Sequence, residues 1–182
     1  APDEPELLKM AQAFAPPVIL VSKLRERSLR LSAGEAGVKV LLYEGGEALR
    51  FEETAIDAAV RGTLRLMAHL GMVEPVPRPA AATVFSDASA WVRAPESGIL
   101  HTTRRIGDRV GKGEVVGVVA DPLGQASLPL FAEWDGIIVG RTNLPLVNRG
   151  DAVFHIARAM PLATIRQHPE EAVALADEDE II

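Results

Sequence analysis

The chain has 182 residues, and 19 basic against 25 acidic side chains give it a formal net charge of −6 at pH 7. This acidity argues against an electrostatic nucleic-acid binder, and the absence of cysteine excludes a disulfide scaffold and a Cys-ligated metal site. No apolar run approaches the ~20 residues of a membrane span. Acidic residues also stand where a signal peptide would be basic, so we expect a cytoplasmic protein with no membrane partner.

Residues 1–74 are predicted to form an α/β segment. A short helix is expected over residues 5–15, and apolar runs rich in β-branched residues follow at 17–21 and 38–43. Runs of this composition are typical of strands that are buried on both faces of an α/β sheet.

The clearest periodic pattern in the chain predicts an amphipathic helix over residues 52–70. Acidic residues lie in its first turn, and Arg65 and His69 lie near its end, as the helix dipole favours. Gly71 suits the position that follows the last turn. Five apolar residues at spacings of three or four form one stripe: Ile56, Val60, Leu64, Met67 and Leu70.

The composition changes after this helix. Three prolines alternate with other residues within 74–79, which indicates an extended linker that we place at 75–89. Residues 90–159 show short β-rich runs separated by glycines, and this pattern predicts an all-β domain. Residues 160–182 are predicted to hold a short helix that begins near Pro169, and an acidic tail.

The all-β domain contains an internal repeat. Residues 94–100 align with 132–138 at an offset of 38, and residues 110–116 align with 147–153 at an offset of 37. Small, glycine, acidic and basic positions fall into register in both pairs. The repeat predicts two similar β half-units that bury their apolar faces against one another.

The β domain resembles the barrel-sandwich hybrid of biotinyl and lipoyl carrier domains. The matching residues are Ala94, Pro95 and Gly98, then Gly107, Asp108, Val110 and 112–114, and finally Ala132, Asp135, Gly136, Gly150 and Asp151. Carrier domains present a lysine at the tip of the hairpin between the halves, whereas residues 121–126 contain none. The resemblance therefore implies this fold without attachment of biotin or lipoate at that tip.

Over residues 5–158, the chain is similar to the second half of proteins of the succinylglutamate desuccinylase/aspartoacylase family. The most specific motif, LLYEGGEALRF, runs from Leu41 to Phe51 and leads into the predicted helix. Further motifs lie at residues 94–98, 121–124, 135–140 and 145–153. The family consists of zinc amidohydrolases. The resemblance therefore implies an α/β fragment, the end of a carboxypeptidase-like catalytic domain, followed by the barrel-sandwich-hybrid-like β domain.

The resemblance also implies a zinc cofactor whose ligands lie upstream of the matched region. The family uses a His-x-x-Glu pair and a later histidine, and arginines that clamp the substrate carboxylate lie there too. We therefore expect no metal ligand in this chain. His168 and Glu171 repeat the His-x-x-Glu spacing, but Pro169 and the acids after it indicate the start of a helix.

Glu44 is the candidate catalytic residue. It directly follows the predicted strand 38–43 and precedes Gly45 and Gly46, which let a substrate approach closely, and ligands of open α/β sheets lie beyond the carboxyl ends of strands. From the residues alone, a surface acid in a turn is the more common explanation. In the family, the glutamate of a Glu-x-Gly motif matches Glu44 and acts as general base and then general acid.

Arg30 is the candidate substrate-binding residue, because a guanidinium suits carboxylates and oxyanions. In the family, an arginine upstream of the catalytic glutamate polarises the scissile carbonyl. An ordinary helix or surface arginine is the alternative. We interpret Glu47 as a solvated loop acid or a charge at the helix entry.

The sequence thus predicts part of a zinc-dependent amidohydrolase that cleaves an N-acyl amino acid, such as a succinylglutamate-like or acetylaspartate-like amide. Its partner would be that small molecule, and a homo-oligomer is left open. One alternative is a non-catalytic binding or assembly module with the carrier-like fold. A degenerate carrier domain is a weaker one, since the hairpin lysine is missing.

Overall fold

The computed structural model describes residues 5–160, and the chain divides into two compact units between Val84 and Phe85. This division falls within the predicted linker 75–89. The predicted helix near Pro169, the acidic tail and the His168–Glu171 spacing lie outside the described residues. Among the helices within residues 5–160, none combines the length and the hydrophobicity that a membrane span requires.

The first unit is mainly helical. It contains α1 (Pro5–Phe14), β1 (Val18–Leu20), α2 (Leu29–Glu35) and α3 (Glu53–His69). The predicted helices at 5–15 and 52–70 and the strand at 17–21 are confirmed, although β1 is only half-buried. The backbone N–H of Val84 donates to the Pro17 carbonyl at 2.9 Å, beside β1.

The predicted strand at residues 38–43 is wrong for the part of the chain that the structure describes. No described strand pairs with this segment, and its residues Val38 and Leu42 are 56% and 62% exposed. A strand needs a neighbour to satisfy its backbone hydrogen bonds. The expected α/β sheet is therefore not formed by the described residues of this unit.

The helix α3 buries a different face from its apolar stripe. Within the described structure, the stripe residues Ile56, Val60, Leu64 and Leu70 are exposed, and Met67 is half-buried. The buried face carries Gly62, against which the Phe14 ring of α1 packs. A Cβ at position 62 would lie 2.4 Å from that ring, so the close approach of α1 to α3 requires glycine there.

The packing of α1 on α3 is held by a buried arginine. The Nε and Nη2 atoms of Arg65 donate to the carbonyl oxygen of Phe14 at 3.0 and 2.8 Å, and Nη1 donates to that of Pro77 at 3.4 Å. Burial lowers the pKa of Arg65 from its usual value. The main role of this arginine is therefore a bond to the end of α1, rather than the dipole effect that its place in the sequence indicated.

The second unit is built from strands. Following β2 (Val84–Ser86), which begins at the division, its strands are β3 (Ser89–Arg93), β4 (Gly98–Thr102), β5 (Arg109–Val110), β6 (Val115–Ala120), β7 (Ser127–Phe131), β8 (Gly136–Arg141), β9 (Leu146–Val147) and β10 (Ala152–Arg158). They form two antiparallel four-stranded sheets with the orders β7-β6-β4-β9 and β3-β10-β8-β5. The prediction of an all-β region is confirmed for the described strands.

The strand register follows the offsets of the internal repeat. In one sheet Ile99 of β4 lies opposite Ala120 of β6, and in the other Ile137 of β8 lies opposite Ala157 of β10. These pairs are related by the offsets of 38 and 37 that the sequence shows. The two half-units therefore fold in the same way.

The two half-units also exchange a strand. In the first sheet, Gly98 of β4 pairs with Val147 of β9, which belongs to the second half of the repeat. In the second sheet, Gly136 of β8 pairs with Val110 of β5, which belongs to the first half. Each sheet therefore includes a strand from the other half-unit.

The core of this unit repeats with the strands. Its cluster of buried apolar side chains draws on both sheets. Most of its members fall into pairs related by the repeat, among them Ala94 and Ala132, Leu100 and Ile138, Val116 and Val153, and Val119 and Ile156. Burial of this shared core is what joins the two sheets. The two sheets remain separate ladders, so the finer assignment as a barrel-sandwich hybrid stays a prediction.

Two glycines at equivalent places generate a stability prediction. A Cβ on Gly98 would lie 2.4 Å from the Ala120 carbonyl oxygen, and one on Gly136 would lie 2.4 Å from that of Ala157. We expect Gly98→Ala and Gly136→Ala each to lower the free energy of unfolding by about 1–3 kcal/mol, because the clash is with backbone. Urea unfolding followed by tryptophan fluorescence measures this, since Trp91 and Trp134 both lie in this unit.

The control is Gly111→Ala, whose Cβ would meet its nearest atoms at an ordinary 3.7 Å. This variant should unfold within about 0.5 kcal/mol of the wild type. An unchanged unfolding midpoint in Gly136→Ala would contradict the prediction.

Candidate functional site

Glu44 lies in the connection between α2 and α3 and is exposed. Among the described residues, its carboxylate has neither a hydrogen-bond nor an ion-pair partner. The side chain is thus available to a molecule that binds from solvent.

Tyr43, the residue before Glu44, fixes the backbone at this point. Its hydroxyl donates to the carbonyl oxygen of Ala55 in the first turn of α3 at 2.9 Å. Its ring also lies against Phe14 of α1, with 5.5 Å between ring centroids and a tilt of 38°. Glu44 therefore follows a residue that is tied to both helices.

The two glycines after Glu44 are each required by the local geometry. A Cβ on Gly45 would lie 2.5 Å from the Tyr43 hydroxyl oxygen, so the tyrosine can reach α3 only past a glycine. Gly46 has a φ of +83°, which other residues rarely adopt. The sequence suggested that these glycines admit a substrate, and the structure shows that they also admit the anchoring tyrosine.

Arg30 lies in the first turn of α2, whose N-cap is Ser28. Its guanidinium donates from Nη1 to the Ser22 hydroxyl at 3.1 Å and from Nη2 to the Lys23 carbonyl at 3.5 Å. These bonds hold α2 to the segment that follows β1. Within residues 5–160, no hydrogen bond or ion pair joins Arg30 to Glu44, so its substrate-binding role stays a prediction.

Glu47 forms an ion pair with Arg50, with 3.2 Å between its Oε2 atom and the arginine Nε. It precedes the start of α3 at Glu53 by six residues. Of its two interpretations, the loop acid fits this position and the charge at the helix entry does not.

The described residues do not fit a zinc ion by themselves. Between residues 5 and 160, no group of three or more His, Cys, Asp or Glu side chains could hold a metal ion. His69 and His101 are exposed on α3 and β4, and His155 stacks on Trp91 with 4.5 Å between ring centroids. Zinc would therefore need ligands from residues other than these.

The hairpin tip between β6 and β7, where a carrier domain has its lysine, is closed by Asp121. Its carboxylate accepts hydrogen bonds from the backbone N–H groups of Leu123, Gln125 and Ala126 at 2.7, 3.2 and 2.6 Å. The side chain that organises this tip therefore points back onto the loop backbone.

Sequence reasoning missed the contribution of Tyr43 and Arg65 to this region. Tyr43 stood at the end of an apparent buried strand, and only its position beside Glu44 could have drawn attention to it. Arg65 lay within an amphipathic pattern on which an arginine is expected to be exposed. Neither residue has a local motif that reveals its distant carbonyl partner.

The comparison with known proteins finds relatives that cover most of this chain. The N-alpha-acetyl-L-2,4-diaminobutyric acid deacetylase of Halomonas elongata is 32% identical over 163 residues, which cover 84% of this chain and 47% of the relative. The crystal structure of a succinylglutamate desuccinylase/aspartoacylase from Rhodobacter sphaeroides superposes with a TM-score of 0.73 at 27% identity, over 87% of this chain and 52% of that one. Over most of its length, the chain is therefore similar to proteins of the succinylglutamate desuccinylase/aspartoacylase family.

A further solved structure has the same fold. It is the ectoine utilization protein EutE (DoeB) from Ruegeria pomeroyi, with a TM-score of 0.71 and 20% identity over 86% of this chain and 53% of that one. No protein-family model matches the chain. The predicted resemblance is confirmed, and the chain spans about half the length of the curated relative that it matches.

Gly45→Ala tests the anchoring of the loop. The added Cβ should displace the Tyr43 hydroxyl from the Ala55 carbonyl, and we expect the free energy of unfolding of this unit to fall by about 1–3 kcal/mol. Tyr43 is the only tyrosine of the chain, so the NMR signal of its labelled ring reports the displacement directly. Gly34→Ala in α2, where a Cβ meets nothing within 4 Å, should leave the signal unchanged. A wild-type ring signal in Gly45→Ala would refute the contact.

The hairpin tip generates a pH prediction. Burial alone would raise the pKa of Asp121, but the backbone N–H donors of the tip together hold it below its usual value. A lowered pKa in the folded state stabilises the tip above the pKa of the unfolded chain, and this contribution is lost as the pH falls through the folded value. An NMR titration of the Asp121 carboxyl should therefore give a midpoint below the ordinary ~3.9.

Amide exchange at Leu123 and Ala126 should become faster relative to the rest of the unit over the same acidic range, since the protonated carboxyl is a poorer acceptor. Asp121→Asn should abolish this pH dependence. A midpoint at or above the ordinary aspartate value would contradict the prediction.

Proposed function

We propose that this chain is part of an amidohydrolase that cleaves the amide bond of an N-acyl amino acid, with Glu44 as the residue that moves the proton. The supporting observation is the exposed, unpartnered carboxylate of Glu44, set between an anchored tyrosine and two glycines. The relative from Halomonas elongata carries the name of a deacetylase of an N-acetylated amino acid.

The chemistry of amide hydrolysis needs such a group. Water must lose a proton as its oxygen bonds to the carbonyl carbon, and the nitrogen must gain a proton as the C–N bond breaks. A single carboxylate can accept the first proton and deliver the second, which contributes typically ~10²–10⁴-fold to the rate. Glu44 is suited to this role because no cation among the described residues competes for its oxygens.

Zinc belongs to the proposal only for the whole protein. The family resemblance implies it, but the described residues do not supply its ligands. The role of this chain in the reaction is therefore the proton transfer by Glu44, and the metal ligands would come from other residues.

The exposed apolar surface of the first unit supports the proposal that it is one part of a larger catalytic domain. Most of the exposed large apolar side chains in the described structure lie in this unit: Leu20, Leu24, Leu29, Val38, Leu42, Leu49, Phe51, Ile56, Val60, Leu64, Leu70, Met72 and Val73. Extensive exposed apolar surface marks an interaction site. We propose that the segment 38–43 and the stripe of α3 are covered by the rest of that domain.

Arg30 enters the proposal as a group that binds the substrate. Two of its guanidinium nitrogens are bonded to residues 22–23, which orients the planar group, and its remaining N–H bonds are available to a carboxylate or a carbonyl oxygen. The substrate class is a small acylated amino acid, in keeping with the name of the Halomonas elongata relative.

The test is Glu44→Gln in the whole protein, with N-alpha-acetyl-L-2,4-diaminobutyric acid and N-succinylglutamate as substrates. We expect kcat to fall by about 10²–10⁴-fold while KM changes little, because glutamine keeps the shape of the side chain but cannot accept the proton. Metal content measured in parallel separates the loss of a base from the loss of a cofactor.

Glu47→Gln is the matched control, since it removes the same charge three residues away and breaks only the ion pair with Arg50. Its kcat should stay within a few-fold of the wild type. Wild-type turnover in Glu44→Gln would refute the role of Glu44. A whole protein that hydrolyses neither substrate would instead favour the non-catalytic binding module.

A further inference from the structure

The second unit contains an open cleft that the proposed hydrolysis does not use. Its volume is about 420 Å³, and it is lined by residues 102–106, Arg141 and Asn143. Residues 102–106 begin at the last residue of β4, and they correspond at the repeat offset of 38 to residues 140–144, which begin within the end of β8. The cleft is thus formed where corresponding strand ends of the two half-units, and the loops after them, meet.

The loops around the cleft are fixed by hydrogen bonds. Nη1 of Arg141, at the end of β8, donates to the Thr102 hydroxyl at 3.2 Å and to the Arg104 carbonyl at 3.0 Å, which joins β8 to the end of β4 and to the loop after it. The backbone N–H of Arg105 donates to the Asp108 carboxylate at 2.8 Å. The backbone that carries the side chains of the cleft is therefore held in place by hydrogen bonds within the protein.

The cleft has an excess of positive charge. It presents the guanidinium groups of Arg104, Arg105 and Arg141. Glu114 forms an ion pair with Arg104, and its other carboxylate oxygen accepts the Gly111 N–H at 2.8 Å. In the described part of the chain, the exposed side chain of Arg105 has no ion-pair partner.

One donor in this group is left unsatisfied. The Nε atom of Arg104 is buried and has no hydrogen-bond partner in the described structure. A buried donor without an acceptor is unfavourable, so its occurrence beside a cleft needs an explanation. An oxygen atom of a bound anion would provide the acceptor that the protein lacks.

We propose that this cleft binds the oxyanion group of a small molecule, either a carboxylate or a phosphate. The Nε–H of Arg104 and the guanidinium of Arg105 donate to the anion, because arginine presents its N–H bonds in a geometry that matches both groups. Thr103 and Asn143 add a hydroxyl and an amide to the lining. The volume lies within the ~300–1,000 Å³ of small-molecule sites.

The experiment is an NMR titration of the full 182-residue chain with inorganic phosphate and, separately, with succinate at low ionic strength. We expect saturable shifts at the amides of Thr103, Arg105 and Asn143 and at the Arg104 Nε–H. Tighter binding of succinate identifies a carboxylate ligand, and tighter binding of phosphate identifies a phosphate ligand. Neither measurement involves amide hydrolysis, so its outcome is independent of the role proposed for Glu44.

Arg105→Ala should weaken binding of the preferred anion about tenfold, since it removes charge-assisted hydrogen bonds. The fold should persist, because the Arg105 side chain is exposed and only its backbone N–H holds Asp108. The control is Arg149→Ala, which removes the same charge from an exposed side chain outside the cleft and should change affinity less than twofold. Shifts that do not saturate, or equal weakening in the two variants, would overturn the proposal.

Discussion

A strand from each half of the repeat lies in the sheet of the other half, and the rest of the second unit depends on this exchange. β9 completes the sheet that contains β4, and β5 completes the sheet that contains β8. Neither half therefore completes its four-stranded sheet without a strand of the other. The shared apolar core follows from the same constraint, because side chains such as Val116 and Val153 from the two halves are fully buried together.

The exchange also explains where the glycines and the cleft occur. Gly98 and Gly136 begin β4 and β8, each between a strand of its own half and a strand of the other, where only a residue without Cβ leaves room for the facing carbonyl. The far ends of β4 and β8 and the loops that follow them are brought together by the same arrangement, and Arg104, Arg105 and Arg141 line the cleft there. The position of the cleft is thus a consequence of the repeat. The side chains that line the cleft determine what it can bind.

The sequence predicted the second unit better than the first for a physical reason. The repeat offsets of 38 and 37 relate the pair Ile99 and Ala120 to the pair Ile137 and Ala157. The strands that pair in this way all lie within the second unit, so the sequence of this unit alone indicates the repeat. The segment 38–43 has the composition of a buried strand, but no described residue pairs with it, and composition alone cannot supply a neighbour. The exposed apolar stripe of α3 shows the same limitation of sequence patterns. Its spacing predicts a helix, but it does not tell which part of the protein packs against the stripe.

The candidate residue Glu44 could be proposed from the sequence, but the contacts that hold the structure around it could not be predicted. The Glu-Gly-Gly motif and the family resemblance pointed to Glu44, whereas the bond from Tyr43 to Ala55 joins residues 12 apart and the bonds from Arg65 to Phe14 join residues 51 apart. Such contacts depend on how α1 packs against α3, which in turn depends on the absence of a side chain at Gly62. Local patterns do not encode these distances.

This mode of support bears on the chemistry proposed for Glu44. A general base must be held in place while its oxygens stay free to accept a proton, and these demands conflict when a side chain is oriented by its own hydrogen bonds. Here the residues on either side are held instead: Tyr43 is bonded to α3, and Gly46 adopts a left-handed backbone conformation. The carboxylate of Glu44 has no partner among the described residues. Anchoring the neighbours rather than the acid itself leaves the proton-accepting oxygens unoccupied at a fixed point of the chain.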